Sequence, residues 1–342
     1  MIIGLNYSNC LIHRTTFSIR VSSFSVQKRL GPQKRLYYQQ LEENIIHVPG
    51  ENPNAAALRG TNCFIIGTTQ ERLMIDSGDV PPINALFIEN LRKLLLEQKF
   101  RLKDVVISHA IANHFGGAWS VIQLHRELGL ELPRVHKKLD NNNYERDMFR
   151  MSRYLRDHVR HIDSSCKFTV DEQGGGQSVI KPIETPGHRS DHCSYSLTNT
   201  SLKQKHLFPG DMILGSPSVS MDDLSLYLDD LRRVEAMDFD KLYLVHTHTH
   251  EPEHMVVCAK KKIRAYIEYR EQREQLLQET INKKRFTRES LFDMIYEQED
   301  LSDPLRMKLA LTSFNSHLNK LLKERKVRLL REGLSEILHI VK

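Results

Sequence analysis

The sequence predicts an α/β layered protein followed by a helical C-terminal domain. Short apolar, β-prone runs recur through the first 255 residues, at Val105–Ile107, Ile180–Glu184, Leu207–Phe208 and Lys241–Val245, and each opens into a polar turn. Amphipathic helical patterns lie between them, and from Lys260 onward the chain is almost wholly helical in pattern.

Length and composition set the bounds. A chain of 342 residues suits one large core plus a small second domain. Its 40% hydrophobic and 27% charged content is ordinary for a folded protein. No apolar run approaches the roughly 18 residues that span a bilayer, so no membrane segment is expected. Five cysteines, odd in number and without CxxC spacing, argue against a disulfide framework and a thiolate metal cage. The net charge of +6 is uneven: residues 1–41 hold six Lys/Arg and no acid, and residues 260–342 hold 19 Lys/Arg against 13 Asp/Glu. The middle is therefore acidic, which suits a site that gathers cations, while the ends suit polyanions.

In chain order, residues 1–40 form a basic, Ser/Thr-rich extension with the composition of a mitochondrial transit peptide. That places the protein in the mitochondrial matrix, or in the cytoplasm if the extension has no targeting role. Asn52–Gly67 and Arg72–Asp79 read as two antiparallel strands joined at Thr68–Glu71, with Asp76 at the end of the second. Ile83–Gln98 is an amphipathic helix. The strand Val105–Ile107 then enters HAIANHFGG, and a helix is expected over Trp119–Leu128. Leu130–Ser165 is polar and reads as a surface insertion, and Gly174–Gly176 marks a hairpin tip. The strand Ile180–Glu184 precedes TPGHRSDH, Tyr195–Thr198 is a strand, Leu207–Gly215 runs strand, turn, Asp211, and a helix at Leu224–Ala236 leads to KLYLVHTHTH.

Four strand ends thus present His109 with His114, His188, Asp211 and His246. Each alone is an ordinary loop residue. Together, imidazoles with one carboxylate are the ligand set of Zn, Fe or Mn in a hydrolytic site.

The order GTN, strand-end Asp, His-rich loop closing in Gly-Gly, TPGH, PGD and a late His resembles the metallo-β-lactamase superfamily over residues 41–255. NPNAAALRGTN, TPGHRSDH, GDMILG and the helical tail are most similar to a subgroup of mitochondrial endoribonucleases that cut single-stranded RNA. The resemblance implies an αββα sandwich over 41–258, a winged-helix-like domain over 259–342, and one or two zinc ions. It assigns His109, His114, His188, the bridging and catalytic Asp211, and His246 as ligands. Asp76 matches the family's strand-end Asp and, with Asp191 and His192, is expected to orient ligands rather than bind metal. His248, His250 and His254 are read mainly as surface residues, with His248 a candidate replacement ligand.

This chain departs from the family's H-x-H-x-D-H loop, which falls on His109, Ile111, Asn113 and His114. Ile111 has no lone pair, and Asn113 offers only a neutral amide oxygen at a catalytic position. With structural zinc bound by about 10–16 kcal/mol over four ligands, each loss is on the order of 3 kcal/mol, about a hundredfold in affinity. The expected chemistry is metal-assisted hydrolysis of a phosphodiester, slowed by Asn113.

Lys283, Lys284 and Arg285 open a basic stretch in the tail that is read as a phosphate contact. Aromatic stacking residues are sparse there, so base-specific readout is not expected. Two other functions compete with the endoribonuclease: a non-catalytic nucleic-acid-binding pseudoenzyme, for which Ile111 and Asn113 argue, and a glyoxalase II-type thioester hydrolase, against which the basic tail argues.

Overall fold

In a computed structural model the chain is described over residues 37–341, apart from 55–56, 141–142, 201–202, 216–218 and 333–334. The basic extension up to residue 36 and the hairpin glycine Gly333 lie outside the described residues. Gln39 and Gln40, inside the expected extension of residues 1–40, already belong to the sheet, opposite His47 and Ile46 of β2.

Seven strands form one sheet in sequence order: β1 (Gln39–Glu42), β2 (Ile45–Pro49), β3 (Asn62–Ile66), β4 (Glu71–Ile75), β5 (Arg101–Ile107), β6 (Arg134–Lys137) and β7 (Val159–His161). The first four are antiparallel neighbours, and β4 through β7 run parallel. Helices α1 (Ala85–Gln98), α2 (Ala112–Phe115), α3 (Ala118–Glu127) and α4 (Asn143–Met151) belong to this half. A second sheet holds β8 (Phe168–Asp171), β9 (Gln177–Glu184), β10 (Cys193–Asn199), β11 (Lys205–Phe208), β12 (Lys241–Tyr243) and β13 (Val256–Cys258), with α5 (Leu224–Ala236), α6 (Pro252–Met255) and α7 (Ala259–Lys283) alongside.

Strand alternation builds three stacked cores. In β3, Cys63 and Ile65 face Phe87, Leu91 and Leu94 of α1, while Phe64 and Ile66 face the other sheet. In β5, Val105 and Ile107 take the helix side and Val106 the sheet side. Tyr195, Phe208 and Tyr243 complete the layer between the sheets. On the far side, Leu207 and Leu242 pack against Leu228 and Leu231 of α5 and Ile263 and Ile267 of α7. The result is helix, sheet, sheet, helix, and each fully buried apolar side chain is worth about 1.5–3 kcal/mol.

The stretch Leu130–Ser165 is not a surface insertion. It supplies β6, β7 and α4, and Val135, Met148 and Leu155 are buried in the α1–α3 core. Its polar composition disguised it because strands of three and four residues carry too few apolar positions to show a period. Asn52–Thr61 is correspondingly not strand; β3 starts at Asn62.

The C-terminal unit consists of the end of α7, α8 (Arg288–Ile295), α9 (Pro304–Lys323) and the antiparallel pair β14 (Val327–Glu332) and β15 (Ser335–Ile340). A capping box between Thr287 and Ser290 starts α8. Leu277, Phe286, Leu291, Phe314, Leu318 and Val327 form its separate core. The domain division expected at 258/259 coincides with the start of α7, whose first half packs in the α5 core and whose end enters the C-terminal core.

Candidate metal centre

The parallel strand β5 delivers Ser108 and His109 to the sheet's end, where His109 is fully buried. The loop then makes the single helical turn α2, which turns His114 back beside His109 with ring centroids 4.2 Å apart. Gly117 lets this loop close on the β4 turn, since a Cβ there would meet the Ser77 carbonyl oxygen at 1.9 Å. Asp76 in that turn has φ +57°, a left-handed conformation that Asp tolerates better than most residues. Its carboxylate accepts from Ser108 N at 2.8 Å, Ser108 Oγ at 3.0 Å and His114 Nδ1 at 2.8 Å. It therefore orients the ring so that His114 Nε2 faces the site.

His188 follows Gly187, which packs against the α5 backbone and donates to Asp230 Oδ2 at 2.8 Å. His188 Nδ1 donates to the Ser220 carbonyl at 2.7 Å. Asp211 lies in a short helical turn after β11, with its backbone N–H donating to His192 Nε2 at 3.1 Å. The other nitrogen of His192 bonds Thr185 Oγ1 at 2.7 Å, so both are engaged and His192 holds the Asp211 backbone. His246 Nδ1 contacts the Gly60 carbonyl at 3.2 Å.

These side chains converge. The ligand atoms of His109, His114 and Asp211 lie within 4.8 Å of one another. Asp211 Oδ2 is 3.5 Å from His109 Nε2, and Asp211 Oδ1 is 3.3 Å from His114 Nε2 and 3.4 Å from His246 Nε2. The His188 ring centroid is 5.3 Å from that of His109.

Burial, with the charge of His114, pushes His109 down to about 3 and likewise lowers His188 and His246, leaving neutral imidazoles. Burial opposes ionisation of Asp211, but neighbouring His114 and His246 outweigh it and hold the carboxyl well below the usual range. For His114, burial is outweighed by the carboxylates of Asp211 and Asp76, which raise it to about 10.

His109 Nε2, His188 Nε2 and Asp211 Oδ1 are buried polar atoms without hydrogen-bond partners. Such groups cost about 1–3 kcal/mol each when left unsatisfied. Two neutral imidazole nitrogens and an ionised carboxylate in one pocket fit a divalent cation.

Ile111 and Asn113 are both partly exposed on the α2 loop. Asn113 Nδ2 lies 3.1 Å from His246 Nε2, and Ile111 supplies no ligand atom. His248 is exposed and His254 likewise, whereas His250 lies against His47 with centroids 5.5 Å apart. Lys283, Lys284 and Arg285 are exposed at the corner between α7 and α8, on the C-terminal unit.

Sequence reasoning missed Lys137. It is 1% exposed and pairs with Asp191 at 2.7 Å, while Asp191 also accepts from the Ala110 backbone at 2.8 Å and from Arg189 Nε at 3.2 Å. Burial disfavours that carboxylate, but Lys137, His109 and Arg189 hold it well below its usual range. The pair thus pins the residue after His109. The strand RVHK holds a single apolar residue, so its pattern carries no signal that Lys137 is buried.

Comparison with known proteins agrees with this fold. The family model described as Metallo-beta-lactamase superfamily matches residues 56–246. An atrochrysone carboxyl ACP thioesterase of Aspergillus fumigatus is 28% identical over 63% of this chain and 61% of its own length. A Beta-lactamase-like protein 2 homolog of Caenorhabditis elegans is 26% identical over 69% of this chain and 70% of its own. A beta-lactamase domain protein from Burkholderia ambifaria superposes with TM-score 0.68 at 15% identity, covering 89% of this chain and 93% of that one. A metallo-beta-lactamase family protein from Thermus thermophilus superposes with TM-score 0.58 at 16% identity, over 88% of this chain and all of that one.

Proposed function

The chain belongs to the metallo-beta-lactamase superfamily, and we propose that it is a metal-dependent hydrolase that cleaves single-stranded RNA, slowly, from a site missing two of the family's ligands. The observation that carries the hydrolase reading is the convergence of His109, His114 and Asp211, whose ligand atoms lie within 4.8 Å of one another in a buried pocket. His109, His188, His114, His246 and Asp211 would hold the ion. When bound, a divalent metal supplies Lewis acidity and makes water acidic near neutral pH.

The chain's own residues set the rest. Asp76 and the Ser220 carbonyl orient the imidazoles of His114 and His188. Asp211 lies between His109 and the His114–His246 pair and matches a bridging role. Asn113 has no basic oxygen with which to take a proton from water or align it, so turnover is slow.

Support for a long polyanionic substrate comes from the tail. Lys323 of α9 pairs at 2.9 Å with Asp223, whose backbone N–H donates to the Gly187 carbonyl beside His188, so the C-terminal helices flank the site's rim. With its hairpin, this winged-helix-like unit and the exposed Lys283, Lys284 and Arg285 would contact RNA phosphates.

A second reading is thioester hydrolysis, favoured by the thioesterase relative. One experiment separates the readings: metal content of the purified protein, with cleavage of single-stranded RNA and of acyl-CoA thioesters by wild type and by Ile111→His/Asn113→Asp. The RNA reading expects fewer than two metals per chain, weak chelator-sensitive cleavage, and a gain in the double variant. Thioester turnover without RNA cleavage favours the second reading. Absence of metal and of both activities, even in the double variant, sinks the hydrolase.

A further inference from the structure

Beside the metal centre lies an aromatic and basic surface that the site's chemistry does not use. Trp119, the chain's one tryptophan, sits in the first turn of α3, two residues after the Gly117 that closes the His loop. A short helical turn at Arg153–Leu155 brings Tyr154 over it, with ring centroids 5.2 Å apart and planes 20° from parallel. The His158 ring is 5.4 Å from Trp119. Guanidinium groups border the pair: Arg153 is 5.0 Å from the Tyr154 ring, Arg126 is 5.9 Å from the Trp119 ring, and Arg156 is 5.5 Å from Phe149.

The segment is anchored by Met148 and Leu155, which are buried, whereas Tyr154 remains 53% exposed. Packing therefore does not require an aromatic at 154. Residues 143–161 contain five arginines against Glu145, Asp147 and Asp157, and Glu145 is buried while Asp147 is paired to Arg150.

The nine residues of α4 connect this surface to the site's rim, about 13 Å at 1.5 Å per residue. At the near end Tyr144 lies under Arg189, whose guanidinium carbon is 3.5 Å from the ring centroid and whose Nη2 is buried without a hydrogen-bond partner. Arg189 directly follows His188.

We propose that Trp119 and Tyr154 form a nucleobase-stacking platform that holds single-stranded RNA beside the metal centre, with Arg126, Arg153 and Arg156 along its phosphates and Arg189 taking the phosphate at the rim. The inference rests on the RNA reading of the site. Every base offers a π face, so such a platform binds without sequence preference, and cations against the ring faces add to the attraction. Protein interfaces also favour Trp, Tyr and Arg. The run of guanidiniums leading to the metal centre selects the polyanion.

The lone tryptophan makes the test direct. A fluorescein-labelled phosphorothioate RNA decamer, which resists cleavage, is bound to the full chain; anisotropy reports affinity and Trp119 emission reports stacking. An abasic strand of equal length carries the same charge without bases. The decamer quenches Trp119 and the abasic strand does not; Tyr154→Ala weakens decamer binding about 5- to 100-fold, and Tyr154→Phe restores it. Decamer binding with unchanged Trp119 emission and wild-type affinity in Tyr154→Ala overturns the platform and leaves the RNA reading standing. No decamer binding and no RNA cleavage overturn both. Concentration-dependent self-association abolished by Tyr154→Ala also overturns the platform, by giving the patch to a second copy of the chain.

Discussion

The side-chain amide nitrogen of Asn113 lies 3.1 Å from Nε2 of His246, the atom through which that histidine would bind metal. An amide donor there occupies a lone pair that a carboxylate would leave to the ion. Asn113→Asp is therefore expected to tighten metal binding about ten- to a hundredfold, measured by competition with a chelator of known affinity. Unchanged affinity would mean that position 113 stands apart from the metal.

Lys137 and Asp191 are both essentially inaccessible to water and pair at 2.7 Å. Removing Lys137 leaves the buried carboxylate with Arg189 Nε at 3.2 Å as its remaining cation, so Lys137→Met should cost up to about 3–5 kcal/mol by denaturant titration. The double variant Lys137→Met/Asp191→Asn should recover part of this, because an amide oxygen still accepts from Ala110 N. Equal stability of wild type and Lys137→Met would contradict the buried pair.

A Cβ at Gly187 would lie 2.2 Å from Tyr227 N and 2.3 Å from Tyr227 Cα, both backbone atoms of α5. Gly187→Ala must push the His188 turn away from the helix. We expect a loss of at least about 1–3 kcal/mol and reduced metal content by mass spectrometry.

His47 is 1% exposed, and neither ring nitrogen has a hydrogen-bond partner. Burial, with the nearby His250, lowers it from 6.5 to about 3. Between those values the unfolded chain binds a proton that the folded chain refuses. Its contribution to stability is thus intact above pH 6.5 and lost as pH falls from there towards 3. At pH 5 the loss is about 2 kcal/mol. His47→Leu should flatten the acid limb of the stability curve by that amount; an unchanged slope would show that the ring titrates normally.

The fold was legible where strands and helices were long enough to show a period. The helix at Leu224–Ala236 and the strand–turn units bearing His109, His188 and Asp211 stand where their patterns placed them. The strand pair β6 and β7 was not legible, because their inward residues, Val135 among them, are too few and Lys137 breaks the pattern. At the site, ligand types were readable from strand ends, whereas their orienters were only partly so. Asp76 could be inferred from its place after β4. The carbonyls of Ser220 and Gly60 could not, since a backbone oxygen has no sequence signature. The stack of Tyr154 on Trp119 joins residues 35 positions apart, beyond the reach of any local pattern.

Helix α7 spans 25 residues, about 37 Å, and its first half seals the face of α5 while its second half nucleates the C-terminal core. It works as a splint. Cutting the chain at residue 258 would strip cover from Leu207, Leu228 and Leu231 and yield an aggregating fragment rather than a free-standing catalytic unit. Any shortened form that still folds must retain the helix through Ile267. Loss of tail and loss of metal-site integrity are then separable only by shortening after that point.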